Sequence, residues 1–281
     1  ATPNEKSSIP NVFNLWTFKD MEMVLKSLSD AKKAVIVGAG FIGLEAAENL
    51  NEKGLDVTVI QRGAHVLPTI DKEMATPLAQ ELERRGISVR YNCTVKNYKS
   101  KDGAVEIEMD CGDKIIADVV IISTGVMPNS AIAKECGLEC GPRGHIKVNK
   151  FLQTSDINIY AAGDVIELDE HSPYSFAAVP LAGPANKQGR IAANNIAGGR
   201  SSYKDSFGTS VVKVGHLTAA SVGMTEAALL RDGKKFHKLY LHPASNAPYY
   251  PGGNRMTLKL LFGVDGTIFG AQIVGGKGGD K

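Results

Sequence analysis

The first 125 residues alternate between two hydrophobic periods. Ala34–Val37 is a run of small and β-branched apolar residues, and it leads directly into Gly38-Ala39-Gly40-Phe41-Ile42-Gly43. Apolar positions then recur at helical spacing to about Lys53, and Gly54 stops them. This order predicts a buried strand, a glycine turn and a helix, with a second strand at Asp56–Ile60. Between Asp71 and Arg85, Ala75, Leu78, Ala79 and Leu82 form a stripe opposite Glu81, Glu83, Arg84 and Arg85, which predicts an amphipathic helix ended by Gly86. Short strand patterns follow at Ser88–Asn92, Val95–Ser100, Val105–Met109 and Lys114–Ala117, broken by Asp102-Gly103 and Cys111-Gly112-Asp113, before a buried-strand run at Val119–Ser123. The expected architecture is a parallel α/β domain with an inserted β-meander.

From Gly144 the pattern predicts strands at Ile146–Val148 and Ile159–Ala162, the second running into Gly163-Asp164. A helix is expected from Leu181 to about Ile196, stopped by Gly198-Gly199. After Tyr203 the signals become α+β: strands at Ser210–Val214, Phe236–Leu241, Met256–Phe262 and Thr267–Val274, and a short helix at Thr225–Arg231.

The glycine turn carries the first chemistry. Gly38 permits a tight turn, Gly40 lets backbone approach a pyrophosphate, and Gly43 allows helix and strand to touch, so phosphates meet free N–H groups at the helix start. The flanking strand and helix give the GxGxxG pattern the context it needs to mark a dinucleotide site.

Composition narrows the alternatives. With 281 residues the chain can hold more than one domain, and a net charge of +2 with interspersed Asp and Glu offers no basic stripe for nucleic acid. No apolar run approaches the ~20 residues that span a bilayer and no signal sequence is visible, so a cytoplasmic location away from membranes is expected. Cys93, Cys111, Cys136 and Cys140 are too few and too dispersed for a disulfide scaffold. Cys136 and Cys140 have a spacing that a helix would align, although Gly137 suggests that the helix ends between them. The six histidines lack the spacing of a metal site.

Gly38–Gly43, the stretch Ser123-Thr124-Gly125-Val126-Met127-Pro128-Asn129 and the run from Thr154-Ser155 through Ala162-Gly163-Asp164-Val165 together resemble the flavin-dependent pyridine nucleotide–disulfide oxidoreductases. Val179 to Arg190 and Ala247-Pro248-Tyr249-Tyr250-Pro251 look most like the coenzyme A–disulfide reductases and their NADH oxidase and polysulfide reductase relatives. The resemblance implies FAD and NADPH or NADH as cofactors, coenzyme A disulfide or a related sulfur compound as substrate, and a homodimer. It divides the chain into a FAD-domain piece at residues 1–30, a Rossmann-like NAD(P) domain at 31–145, a second piece of the FAD-binding α/β domain at 146–202, and the start of an α+β interface domain at 203–281. On the same template the family's first glycine fingerprint and its redox-active cysteine lie in a segment before Ala1, and a sheet cut short at Lys281 is expected to dimerise poorly.

The resemblance also implies roles for single residues. Gly38, Gly40, Phe41, Ile42, Gly43, Thr124 and Gly125 would surround the dinucleotide, with Ile42 and Glu45 toward the nicotinamide. Either could instead be an ordinary helix residue. At the end of the second strand Gln61 stands where an acidic side chain would hold the ribose hydroxyls. Arg62 beside it could pair with a 2′-phosphate, which leans toward NADPH, or be a solvated loop cation. Gly163 and Asp164 would meet the FAD ribityl chain, Asp164 from the end of a strand, with a helix cap or turn as the alternative. Pro180, Leu181 and Ala182 would bring the positive end of a helix to the flavin ring. Tyr249 or Tyr250 would reach a partner subunit's disulfide site and donate a proton to a departing thiolate, or simply pack.

Overall fold

The computed structural model describes residues 9–169, 176–247 and 249–278. The chain enters through β1 (Val12–Asn14) and α1 (Phe18–Lys26), then alternates β2 (Lys33–Val37), α2 (Phe41–Glu52), β3 (Asp56–Gln61), α3 (Lys72–Arg84) and β4 (Ser88–Tyr91). After β5 (Val95–Lys101), β6 (Ala104–Met109) and β7 (Lys114–Ala117) it returns as β8 (Val119–Ile122). A parallel sheet of order β1-β8-β2-β3-β4 results, with β2 at its centre between β8 and β3. Val35, Ile36, Val119, Val120 and Ile121 are at most 1% exposed, as expected of parallel strands covered on both faces. The meander is the separate antiparallel sheet β5-β6-β7.

One expectation is corrected here. Ser88–Asn92 does not join the meander: β4 is the edge strand of the parallel sheet, pairing Thr58 with Ser88 through Gln61 with Tyr91. A short alternating run says that a strand exists but not which sheet receives it. Strand β1, at residues 12–14, pairs with β8 and extends the same sheet. Helix α1 starts at a capping box that the hydrophobic pattern did not reveal: the Asp20 N–H donates to Thr17 Oγ1 at 3.2 Å, and the Thr17 N–H donates to Asp20 Oδ2 at 2.8 Å.

Helix α4 (Ala131–Glu135) ends at Cys136, and Gly137 follows at φ 78°, so Cys136 and Cys140 do not share a helix face. Beyond it β9 (Ile146–Val148) and β10 (Ile166–Leu168) form a two-stranded parallel pair. Ile159–Ala162 is not a strand. It makes one isolated bridge, between Gln153 and Tyr160, so Asp164 precedes a strand rather than ending one. Helix α5 (Ala182–Ile196) covers this pair, and Val148, Leu152, Ile166, Leu168, Ala192 and Tyr203 form a small core of their own.

The remaining elements are β11 (Ser210–Val214), β12 (Leu217–Gly223), α6 (Glu226–Arg231), β13 (His237–Leu241), β14 (Met256–Phe262) and β15 (Ile268–Gly275). They build an antiparallel sheet of order β11-β12-β15-β14-β13. Strand β12 had no clear sequence signal, since its Thr, Ala, Ser and Gly residues give little alternation. Val212, Val214, Ala219 and Val274 of this sheet share one hydrophobic cluster with Leu44, Ala47, Leu78 and Leu82 of α2 and α3.

The same junction holds a buried lysine. Lys259 on β14 is fully buried, and its Nζ contacts Asp71 Oδ2 at 2.8 Å, Glu226 Oε2 at 2.6 Å and Glu73. Asp71 sits at the N-cap of α3 but does not cap that helix. Its carboxylate receives the N–H of Glu226 at 3.1 Å and the Nε2 of Gln272 at 2.7 Å, linking the parallel lobe to α6 and β15. Burial works against the charge on Lys259, but bonds to Asp71, Glu226 and Glu73 outweigh it and raise its pKa. Burial likewise opposes ionisation of Glu73, yet bonds from Lys259 and Tyr240 win and hold it at about 2, below its ordinary 4.5. A carboxyl with a depressed folded-state pKa contributes stability above its unfolded value, and that stability disappears as pH falls through the folded value. Because Glu73 is almost half exposed, the effect is modest. The urea midpoint is expected to fall between about pH 4.5 and pH 2, with a flatter profile in Glu73→Gln. An equally steep profile in that variant would refute the assignment.

Candidate dinucleotide-binding site

The glycine turn between β2 and α2 is shaped by what lies behind it. Gly38 has φ 107°, a left-handed conformation, and a Cβ there would sit 2.5 Å from the Ser123 carbonyl oxygen. A Cβ on Gly43 would overlap the Gly38 carbonyl and come within 2.7 Å of Ser123 Oγ. Ser123 therefore clips the turn from behind: its hydroxyl lies 3.1 Å from the Val37 carbonyl oxygen and 3.0 Å from that of Gly38. Its signal was present as the first polar residue after the buried β8 run, but its partner could be known only from the sheet order.

Gly40 differs from both. A Cβ there would find no atom of the described residues within 4 Å, so the space in front of it is open. Gly40 is the N-cap of α2, no side chain caps the helix, and the first turn carries no acidic residue. The first N–H groups of a helix have no internal acceptor, so an open, uncapped, positively polarised helix start is available to a phosphate. Phe41 is partly buried in this first turn, and Thr124 and exposed Gly125 (φ 116°) lie immediately beyond Ser123. On geometry alone, the residues present fit the pyrophosphate of a dinucleotide.

Gln61 is buried and already occupied. Its Oε1 accepts the Ala39 N–H at 3.1 Å, and its Nε2 donates to the His65 carbonyl at 3.1 Å. The side chain thus ties the glycine turn to the loop after β3. Arg62 is exposed and has no hydrogen-bond or ion-pair partner among the described residues. Ile42 and Glu45 are exposed on α2 and line a cleft of about 730 Å³ with Trp16, Phe18 and Met21 beside α1.

A second group lies on the β9-β10-α5 unit. The Gly163 N–H donates to Oε1 of buried Gln188 at 2.8 Å, which pins the Gly163-Asp164 turn to α5. Asp164 is exposed and has no partner among the described residues, and Leu181 is an N-cap without a side-chain cap, so Pro180, Leu181 and Ala182 present another bare helix start. A carboxylate that accepts from hydroxyls and an uncapped helix N-terminus that offers N–H donors fit a flavin with its ribityl chain. Tyr249 and Tyr250 lie away from this unit, between β13 and β14. They are 83% and 59% exposed, their ring centroids are 5.1 Å apart, and neither hydroxyl has a partner among the described residues. Pro248, quoted with them above, lies outside the described residues.

Comparison with known proteins gives this geometry a family. Residues 2–190 match pyridine nucleotide-disulphide oxidoreductase, and residues 209–281 match the dimerisation domain of the same group. The chain belongs to the pyridine nucleotide-disulphide oxidoreductases. A relative named NADH oxidase from Methanocaldococcus jannaschii is 35% identical over 280 residues, 98% of this chain and 62% of its own length. A coenzyme A disulfide reductase from Staphylococcus epidermidis is 32% identical over 279 residues, covering 94% of this chain and 62% of the relative. The crystal structure of reduced Bacillus anthracis CoADR-RHD superposes with a TM-score of 0.91 at 36% identity, over 97% of this chain and 50% of that one. The chain thus spans about three-fifths of the length of these curated relatives. The α/β architecture expected from the sequence is that of the family. No helix among the described residues is long and apolar enough to cross a membrane.

Proposed function

We propose that this chain belongs to an FAD-dependent, cytoplasmic NAD(P)H oxidoreductase that reduces coenzyme A disulfide or a related disulfide or persulfide. The observation that carries the reading is the open, uncapped α2 start at Gly40, backed by Ser123, in a chain of this family. Flavin, when bound, supplies the hydride chemistry between a nicotinamide and a thiol or disulfide. The residues of this chain supply the rest. The first-turn N–H groups of α2 hold the pyrophosphate, and Gly40 leaves room for it. Asp164 accepts from ligand hydroxyls, and the α5 start at Pro180, Leu181 and Ala182 stabilises negative charge beside it. Ile42 and Glu45 border the nicotinamide end.

At the end of β3 the neutral Gln61 carboxamide, turned to Ala39 and His65, does not repel a 2′-phosphate, whereas the Arg62 guanidinium, without a partner among the described residues, can pair with one. NADPH is the expected preference. In parallel calorimetric titrations, Arg62→Ala should weaken NADPH by about 10-fold and leave NADH unchanged, a loss of about 1.4 kcal/mol. Equal losses for both nucleotides would refute it. An absorbance scan of the same sample tests flavin uptake: a flavin spectrum supports an electron-transferring chain, and a colourless sample that binds nucleotide supports a binding module without turnover.

The unpartnered phenols of Tyr249 and Tyr250 fit a role across a dimer, where one donates a proton to a departing thiolate. In the protein carrying the complete site, Tyr249→Phe or Tyr250→Phe is expected to slow disulfide reduction at least about 10-fold without changing nucleotide affinity. Unchanged turnover in both variants would leave them as packing residues. A second reading, reduction of O₂ or peroxide on the same scaffold, draws on the relative named NADH oxidase.

A further inference from the structure

Cys93 and Cys111 are 18 positions apart in sequence, yet the fold brings their Sγ atoms to 3.8 Å. Cys93 lies just past the end of β4, and Cys111 in the turn between β6 and β7. Backbone bonds fix both segments. The Cys93 N–H donates to the Gln61 carbonyl at 3.2 Å, and the Asp110 N–H donates to the Thr94 carbonyl at 2.9 Å. Inside the turn, the Gly112 N–H reaches the Met109 carbonyl at 3.1 Å. The Asp110 carboxylate joins the two sulfurs: Cys93 Sγ, Cys111 Sγ and an Asp110 oxygen all lie within 4.8 Å of one another.

We propose that Cys93, Cys111 and Asp110 form a binding site for a thiophilic divalent cation of the zinc type, with solvent completing the coordination.

Three observations favour a cation over a disulfide at this place. Two thiolates bound at ~2.3 Å to a tetrahedral ion lie about 3.8 Å apart, which is the separation found, whereas a disulfide needs about 2.05 Å. The Thr94 N–H donates to Asp110 Oδ1 at 3.0 Å, orienting the carboxylate while its other oxygen stays available, as supporting bonds do around metal ligands. The surrounding charge is negative. The Asp110 and Asp113 carboxylates, in the turn that carries Cys111, attract a cation. Cys111 and Asp110 are exposed, so the ion has an entry path and open positions. Binding turns two thiols into thiolates and releases two protons to solvent, with no change of oxidation state.

The test is titration of the reduced, chelator-stripped chain with Cd²⁺, read by thiolate-to-cadmium absorbance in the ultraviolet, followed by displacement with Zn²⁺. The expected result is a band saturating at one equivalent, absent in Cys93→Ser and Cys111→Ser and retained in Cys136→Ser. Asp110→Asn should weaken the site about 10-fold or more. Far-ultraviolet circular dichroism of the serine variants separates loss of the site from loss of the fold, and Cys111→Ala serves as a second variant at the exposed position. Absence of a band, or a band that survives in both serine variants, would overturn the proposal. So would a Cys93–Cys111 disulfide in the metal-free chain with no cadmium uptake after its reduction.

Discussion

Replacing Lys259 with alanine is expected to lower the unfolding free energy by about 3–5 kcal/mol, the cost of stripping one partner from a buried ion cluster. The substitution leaves Asp71, Glu73 and Glu226 facing one another without their common cation, and the Asp71 side chain is only 6% exposed. Lys259→Met separates charge from volume, since it keeps most of the aliphatic stem and loses the ammonium. It should be nearly as destabilising as alanine in denaturant unfolding. A loss below about 1 kcal/mol for both variants would mean that the carboxylates rehydrate freely and that the cluster contributes little.

Gly40→Val is the sharpest test of the nucleotide site, because it separates binding from folding. Nothing among the described residues lies within 4 Å of a Cβ at this position, so the fold has room for the side chain. Its cost to the helix cap is about 1 kcal/mol. The valine would, however, fill the space assigned to the pyrophosphate. Affinity for NADPH and NADH is expected to fall at least about 100-fold, or about 2.8 kcal/mol, in calorimetric titration. Gly43→Ala should behave in the opposite sense: its Cβ would overlap the Gly38 carbonyl, so the melting temperature falls with or without nucleotide. Unchanged binding in Gly40→Val would remove the phosphate from the α2 start.

The parts of the fold legible in sequence are those where one local pattern has one structural meaning. The β2–Gly38–α2–β3 succession was readable because strand period, glycine turn and helix period follow without interruption, and the meander because Asp102-Gly103 and Gly112 mark its turns. Where a pattern has two meanings the sequence ran out. Ser88–Tyr91 could pair with either sheet, and Ile159–Ala162 has the apolar content of a strand but folds as irregular chain held by its neighbours. Lys259 reads as a solvent-facing residue of an alternating strand, and only three acidic groups from distant segments make its burial tolerable. Gln61 was recognised by its position at the end of β3. That its amide holds the glycine turn depends on Ala39 and His65 lying on either side of it, which no spacing rule conveys.

The cluster shared by α2, α3 and the antiparallel sheet has a mechanical consequence. With Val212, Val214, Ala219 and Val274 interdigitated among the side chains of the two helices, and Lys259 bolting β14 to the start of α3, the parallel lobe and this sheet form one stiff block. The block should melt in a single transition despite the division visible in its sequence. The small β9-β10-α5 unit keeps its own core, so its boundary with the block is the place where relative movement costs least.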